Sequence, residues 1–177
     1  MQTLITHLTT GHRAFLDELH AMSPDQWSAR ALPDGWSIFE ITEHVATVEI
    51  GICTLLSEKL FERPCSPEQK LQVARKDALV VDVMKDRTVR RLAPDMVNPT
   101  GRWPTPAEAL AAFDRTRRSA IELLLKETRD LRNYCAAHPS LKTLDGYQWV
   151  LFMISHADRH REQIREIKSG PGFSAAW

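Results

Sequence analysis

The sequence carries no excess charge of either sign, and this absence restricts the partners that the chain can bind. Its 177 residues include 23 Lys and Arg against 23 Asp and Glu, so the formal net charge is zero with histidine neutral. Nucleic-acid binding draws most of its affinity from neutralising phosphates, which requires a basic surface. We therefore expect no nucleic-acid partner.

Long apolar runs are absent as well. No stretch approaches the roughly 20 apolar residues that a membrane-spanning helix needs. Residues 1–20, MQTLITHLTTGHRAFLDELH, contain charges and histidines where a secretion signal has an apolar segment. The sequence therefore predicts a protein with no membrane partner.

Cysteine is scarce, because the chain has only Cys53, Cys65 and Cys135. The three form no CxxC pair, and an odd number does not fit a framework of paired disulfides. Reduced thiols are typical of the cytoplasm. We therefore expect free thiols in a cytoplasmic protein.

What the chain does contain is apolar residues at helical spacing over most of its length. Strand-like alternation is missing, and residues 133–146 are predicted to form a loop. An all-α fold follows, for which an antiparallel four-helix bundle is the simplest packing. We expect one domain over residues 1–177, with a flexible tail at about 169–177. The predicted helices span about residues 2–21, 37–61, 105–127 and 145–168.

Two helix starts and one long connection organise the middle of the chain. Ser37 and Glu40 have the S-x-x-E spacing of a capping box, and Thr105 and Glu108 repeat it. Between these helices, residues 64–104 form a proline-bearing connection with room for one short helix. We expect this connection to run along the bundle and cover one end.

Three histidines fall on the inward faces of two predicted helices. His156 and His160 lie one turn apart in the last helix, and His44 lies between Ile41 and Val48 in the second. A buried imidazole without a partner costs on the order of 1–3 kcal/mol. A divalent cation binds one lone pair from each ring and keeps a position open for water or substrate. A hydrogen-bonded core layer of three histidines is an equal alternative from the residues alone.

Other polar residues have simpler interpretations. Glu40, one turn before His44, could orient that ring or act as a base, although capping already accounts for it. Asp158 and Arg159 are predicted to face solvent. Trp149, Phe152 and Met153 are predicted to be core. The remaining histidines have no partner at ligand spacing and are predicted to be surface or loop residues: His7, His12, His20 and His138.

Two segments together resemble the DinB-like family of metal-binding four-helix bundles. They are GWSIFEITEHVATVE, at 35–49, and HPSLKTLDGYQWVLFMISHADRHREQIREIK, at 138–168. The RH..QI pattern, from Arg159 to Ile164, is a more specific part of the likeness than the histidine spacing. The resemblance covers nearly the whole chain up to Lys168.

The resemblance implies more than the spacing does. It implies an up-down-down-up course, with a long crossover between the second and third bundle helices. It implies a divalent metal, commonly nickel or zinc, on His44, His156 and His160, with water in the remaining positions. It also implies a homodimer.

The resemblance leaves the activity open. Some relatives are metal-dependent transferases or isomerases that use a low-molecular-weight thiol, and others are described as metal-dependent hydrolases. We therefore expect a metal-dependent thiol transferase or hydrolase acting on a small molecule. The alternative is a non-catalytic, metal-binding or stress-related dimeric bundle.

Overall fold

The structure is a computed structural model that describes residues 1–89, 91–170 and 173. Four long helices dominate it, and the segment between the second and third of them carries two short ones. A two-stranded hairpin precedes the last helix. The elements are α1 (Gln2–Glu18), α2 (Pro24–Ser28), α3 (Ile38–Thr54), α4 (Pro67–Val73), α5 (Lys76–Lys85), α6 (Pro106–Lys126), β1 (Cys135–His138), β2 (Lys142–Asp145) and α7 (Gly146–Lys168).

The long helices α1, α3, α6 and α7 form a four-helix bundle in which α1 and α3 each pack against both α6 and α7. At one end, the core joins Phe15 and Ile164, near the ends of their helices, to Ile41 and Phe113, near the starts of theirs. Helices α1 and α7 therefore run one way and α3 and α6 the other, which confirms the predicted up-down-down-up course. The core at the opposite end includes Leu8, Leu56, Leu124 and Val150.

The predicted starts of α3, α6 and α7 agree with the structure, because side-chain caps set them, whereas α1 ends at Glu18, before the predicted residue 21. The Ser37 hydroxyl accepts the Glu40 N–H at 3.2 Å, and the Glu40 carboxylate accepts the Ser37 N–H at 2.7 Å. At α6, Thr105 Oγ1 accepts the Glu108 N–H at 3.3 Å, which is half of the predicted capping box. Beyond α3, a π-helical turn and a 3-10 turn continue the chain to Glu62, near the predicted end at Phe61.

The crossover contains two short helices where the sequence suggested one. They are separated at Arg75, whose φ of 63° breaks the helical path. Helix α5 packs along α7, and a 3-10 turn at Asp95–Val97 then reaches α3. The crossover therefore runs along the bundle as predicted, and it touches both helices that carry the inward histidines.

The predicted loop before α7 is wrong, because β1 and β2 form an antiparallel hairpin. Its register pairs Cys135 with Asp145 and His138 with Lys142. The short strands lack a clear alternation of apolar and polar residues, so their pattern gave no signal. The Asp145 side chain then caps α7 by accepting the Gln148 N–H at 2.8 Å.

The expectation of three free thiols is also wrong. Cys65 and Cys135 form a disulfide, with Cα atoms 4.9 Å apart across 70 residues of sequence. Backbone hydrogen bonds align the two chain segments: Cys65 N–H donates to Asn133 at 2.8 Å, and Cys135 N–H donates to Arg63 at 3.0 Å. Sequence spacing could not reveal this pairing. It depends on the tertiary structure, which places the start of the crossover, just before α4, beside the start of β1. Cys53 is a free thiol.

Two remaining expectations concern the chain end and membranes. The predicted tail at 169–177 lies largely outside the described residues, although Phe173 packs against the core that includes Ile164. None of the described helices combines the length and the apolar character required for a membrane span.

A buried ion pair joins the middle of α3 to the middle of α6. Arg117 donates Nε–H to Glu49 at 2.9 Å and also donates from Nη2, and both side chains are fully buried. Burial raises the pKa of the Glu49 carboxyl, while the Arg117 charge opposes that rise. Removing one partner of such a pair costs more than replacing both with apolar residues, because the remaining charge stays buried.

We predict that Arg117→Ala lowers the free energy of unfolding by about 3–5 kcal/mol, because Glu49 is left buried and unpaired. The double variant Glu49→Leu with Arg117→Met replaces both charges with apolar side chains and should recover most of that loss. Urea unfolding at neutral pH measures both variants. A double variant no more stable than Arg117→Ala would contradict the interpretation.

Candidate metal centre

The structure brings His44, His156 and His160 together at the contact between α3 and α7. One ligand nitrogen from each residue lies within 4.8 Å of the others, and all three residues are buried. The Nε2 atoms of His44 and His156 are 3.1 Å apart. The centroids of neighbouring rings are 4.5–5.0 Å apart. These distances allow three imidazole nitrogens to contact one ion.

Hydrogen bonds on the far side of two rings decide where their protons lie. His44 Nδ1 is 2.7 Å from the Val97 carbonyl oxygen, which can only accept, so this nitrogen carries the proton. His160 Nδ1 is 2.9 Å from Gln163 Oε1, which also accepts. Both rings therefore keep their lone pair at Nε2. Outer acceptors of this kind orient metal-binding histidines in proteins.

Burial keeps the three rings neutral. It lowers the pKa of His44, lowers that of His156 well below its usual value, and lowers that of His160 to about 3. Metals bind only the neutral imidazole, so the environment selects the form that can act as a ligand. The Nδ1 atom of His156 is buried and has no hydrogen-bond partner among the described residues.

Glu43, the neighbour of His44, is a buried acidic residue that the sequence reading missed. Its carboxylate accepts backbone N–H groups from three consecutive crossover residues: Thr100 at 2.9 Å, Gly101 at 3.2 Å and Arg102 at 2.9 Å. The side chain is consequently almost inaccessible, with the residue 2% exposed. The same turn of α3 therefore carries His44, a member of the cluster, and Glu43, which binds the backbone of the crossover.

The prediction that Arg159 faces solvent is wrong. Its guanidinium donates to the carbonyl oxygens of Met84 at 3.0 Å, Asp86 at 2.6 Å and Val89 at 3.2 Å. It therefore fastens the end of α5 and the following residues to α7, beside His160. Asp158 is partly buried and pairs with Arg161 at 3.4 Å.

Glu40 does not orient His44, because both nitrogens of that ring have other neighbours, at Val97 and His156. Its carboxylate caps α3 and lies 2.7 Å from Arg30 Nη1. These contacts lower the pKa of the Glu40 carboxyl against the opposing effect of burial. A role for Glu40 as a base stays a prediction.

Two histidines predicted to lie in loops or on the surface are built into the fold. His12 Nε2 is 2.8 Å from the Asp114 carboxylate, which links α1 to α6. His138, in β1, packs its ring against Trp149 and Phe152, with centroids 5.0 and 4.4 Å away. Burial lowers the pKa of His138 to about 4. The predicted core residues Trp149, Phe152 and Met153 are buried.

The fold and the site together define a class: four-helix bundles with three histidines gathered between the second and fourth long helices. A model of the family described as the DinB superfamily matches residues 7–164 of this chain. The chain belongs to the DinB superfamily.

One protein of similar sequence and one of similar structure can be named. It is similar to the uncharacterized protein YuaE of Bacillus subtilis strain 168, with 23% identity over 154 residues, covering 86% of this chain and 89% of YuaE. It also resembles the structure of YfiT from Bacillus subtilis, with a TM-score of 0.61 and 17% identity, covering 98% of this chain and 88% of YfiT. YfiT is described as a probable metal-dependent hydrolase with an unusual four-helix bundle topology. At this identity, the structural likeness supports the fold.

We predict that His138 makes the protein less stable as the pH falls from about 6.5 toward 4. The unfolded ring binds a proton near its usual pKa, whereas the folded ring stays neutral down to a pKa of about 4. The unfolded state therefore gains protons first, and the loss is complete below the folded pKa. His138→Asn keeps an acceptor for the Ser140 and Leu141 N–H groups, which His138 Nδ1 accepts at 3.1 Å each.

Between pH 7 and pH 4, the free energy of unfolding should fall by roughly 1–2 kcal/mol less in the variant than in the wild type. This difference is smaller than the full pKa shift would give, because the ring is partly exposed. Urea unfolding of both proteins at the two pH values measures the difference. Identical pH dependence in the two proteins would show that His138 does not titrate in this way.

Proposed function

We propose that the chain is a metal-dependent enzyme whose divalent ion is held by His44, His156 and His160. The observation that carries this proposal is the orientation of the rings. Two of them, His44 and His160, have their protons fixed on the outward nitrogen by acceptors, which leaves their Nε2 lone pairs for the cluster, where the Nε2 atom of His156 lies 3.1 Å from that of His44. A purely structural histidine layer has no need for several lone pairs in one place.

Imidazole nitrogens suit zinc and nickel among the common divalent ions. We therefore propose zinc or nickel as the native metal. Three protein ligands leave a position for a small molecule, where a bound metal would lower the pKa of a water or a thiol. The protein's own contribution is to keep the three rings neutral and correctly oriented.

The reaction we favour is hydrolysis of a small-molecule substrate, and the supporting observation is the description of YfiT as a probable metal-dependent hydrolase. The second candidate is transfer of a low-molecular-weight thiol, which an open metal position also suits. A non-catalytic, metal-holding dimeric bundle is the third, and it predicts metal binding without turnover. A homodimer and a cytoplasmic location stay predictions, and the disulfide between Cys65 and Cys135 removes the argument from free thiols.

We predict that untagged protein contains close to one divalent ion per chain, and that His44→Ala, His156→Ala or His160→Ala each removes most of it. Two remaining imidazoles bind far more weakly than three. Metal analysis by mass spectrometry, together with zinc and nickel titrations, measures the effect. The matched control is His12→Ala, which removes a partly buried imidazole that pairs with Asp114 outside the cluster.

The His12 variant should retain the full metal content even if it is less stable. Full metal content in the three cluster variants would show that the ligand assignment is wrong. Metal absent from the wild type, and not recovered when zinc or nickel is added, would overturn the proposed function.

We predict that the metal-loaded protein hydrolyses activated esters or amides, and that chelation abolishes this activity. The same protein is tested with an electrophile and a low-molecular-weight thiol, where formation of the thioether would favour the transferase. Loss of activity in His160→Ala, with activity retained in His12→Ala, assigns the reaction to the cluster. Metal binding with no turnover in either assay would favour the non-catalytic bundle.

A further inference from the structure

The crossover segment and the candidate metal centre are joined through one turn of α3. Glu43 accepts the three backbone N–H groups of residues 100–102, and its neighbour His44 donates to the carbonyl of Val97. Both contacts reach the same stretch of crossover. The Val97 carbonyl orients His44, and Glu43, the neighbour of His44, holds the segment to which Val97 belongs.

The spacer between the two contacts is stiff. Only Asn98 and Pro99 separate Val97 from Thr100. Proline fixes its own φ and restricts the preceding residue to extended conformations. Asn98 has φ −64° and ψ 148°, as this restriction requires. Fixing the amides of residues 100–102 consequently restricts the positions that the Val97 carbonyl can take.

The backbone of the anchored stretch is shaped to present its amides. Gly101 has φ 73°, in the region that favours glycine. Consecutive N–H groups that point to one side form a concave anion site, and the Glu43 carboxylate occupies it. The negative charge comes from α3 itself, so the amides bind the helix that carries His44.

We propose that Glu43 is a positioning residue for the metal centre. It holds the crossover so that the Val97 carbonyl keeps the proton of His44 on Nδ1 and the lone pair on Nε2. The metal part of this proposal rests on the proposed function, whereas the orientation of His44 does not require a metal. The competing explanation is that Glu43 only satisfies three amides and stabilises the fold.

The first test is the pair of variants Glu43→Gln and Gly101→Ala in the full chain. The glutamine keeps one acceptor oxygen but turns N–H groups toward the backbone, and it also removes a charge near the ion. Gly101→Ala keeps that charge. A Cβ there meets no atom within 4 Å, so the variant strains only the left-handed backbone.

We expect both variants to weaken zinc binding about 10-fold, the lower end of the range for losing an outer partner of a metal ligand. In metal-free protein, the imidazole Nδ1–H signal of His44 in the ¹⁵N-resolved spectrum should exchange faster or disappear. Hydrogen exchange at residues 100–102 should rise in both. Because the two changes act on one contact, their effects in the double variant should not add.

The matched control is Thr105→Ala, which removes the cap of α6 immediately after the same crossover. It lowers stability without touching the contacts of Glu43. Its zinc affinity and its His44 signal should equal those of the wild type at a comparable loss of melting temperature.

The outcomes separate the two hypotheses. Unchanged zinc affinity and an unchanged His44 signal in Gly101→Ala, despite lost protection at residues 100–102, would reduce Glu43 to a structural role. Weak zinc binding in Glu43→Gln alone would assign the effect to charge and would also overturn the proposal. A wild type that binds neither zinc nor nickel removes the proposed function, and the His44 signal still decides whether Glu43 orients the ring.

Discussion

Polar groups buried in the bundle must have hydrogen-bond or ion-pair partners, and several of these groups lie on α3. Glu43, His44 and Glu49 are all buried on this one helix, and each pairs with groups outside it. Glu43 binds the crossover, His44 meets α7 and the crossover, and Glu49 pairs with α6. The arrangement of the bundle around α3 is thus specified by polar contacts as well as by apolar packing.

These contacts explain why an up-down-down-up course suits the site. Two adjacent long helices that run the same way require a long connection, which has to return along the bundle. In this protein the connection is fastened to α7 through Arg159 and to α3 through Glu43. Each of these two residues is next to a histidine of the cluster. The crossover is therefore part of the environment of the site as well as a link between helices.

Buried imidazoles are costly in a core that leucine could fill, and the rest of the fold compensates for this. The apolar clusters at both ends of the bundle surround the polar middle. The neutral state of the rings follows from the same burial that makes them expensive. A site that needs lone pairs without charge gains from burial of its imidazoles, and this links the packing of the fold to its proposed chemistry.

Helical spacing, the Ser37 cap and the inward positions of His44, His156 and His160 were readable from the sequence, because they depend on residues a few positions apart. The motifs also identified the family. The roles of Glu43, Arg159 and His138, and the pairing of Cys65 with Cys135, were not readable. The contacts of Glu43 and Arg159 and the disulfide join residues 57 or more positions apart. The ring of His138 contacts Trp149 and Phe152 because the hairpin, which the sequence did not predict, places it against α7. Without these contacts, a charged or polar residue is predicted to face solvent. Local periodicity determined the elements and the faces they bury; only the tertiary structure decided which buried polar groups meet, because that depends on the path of the crossover.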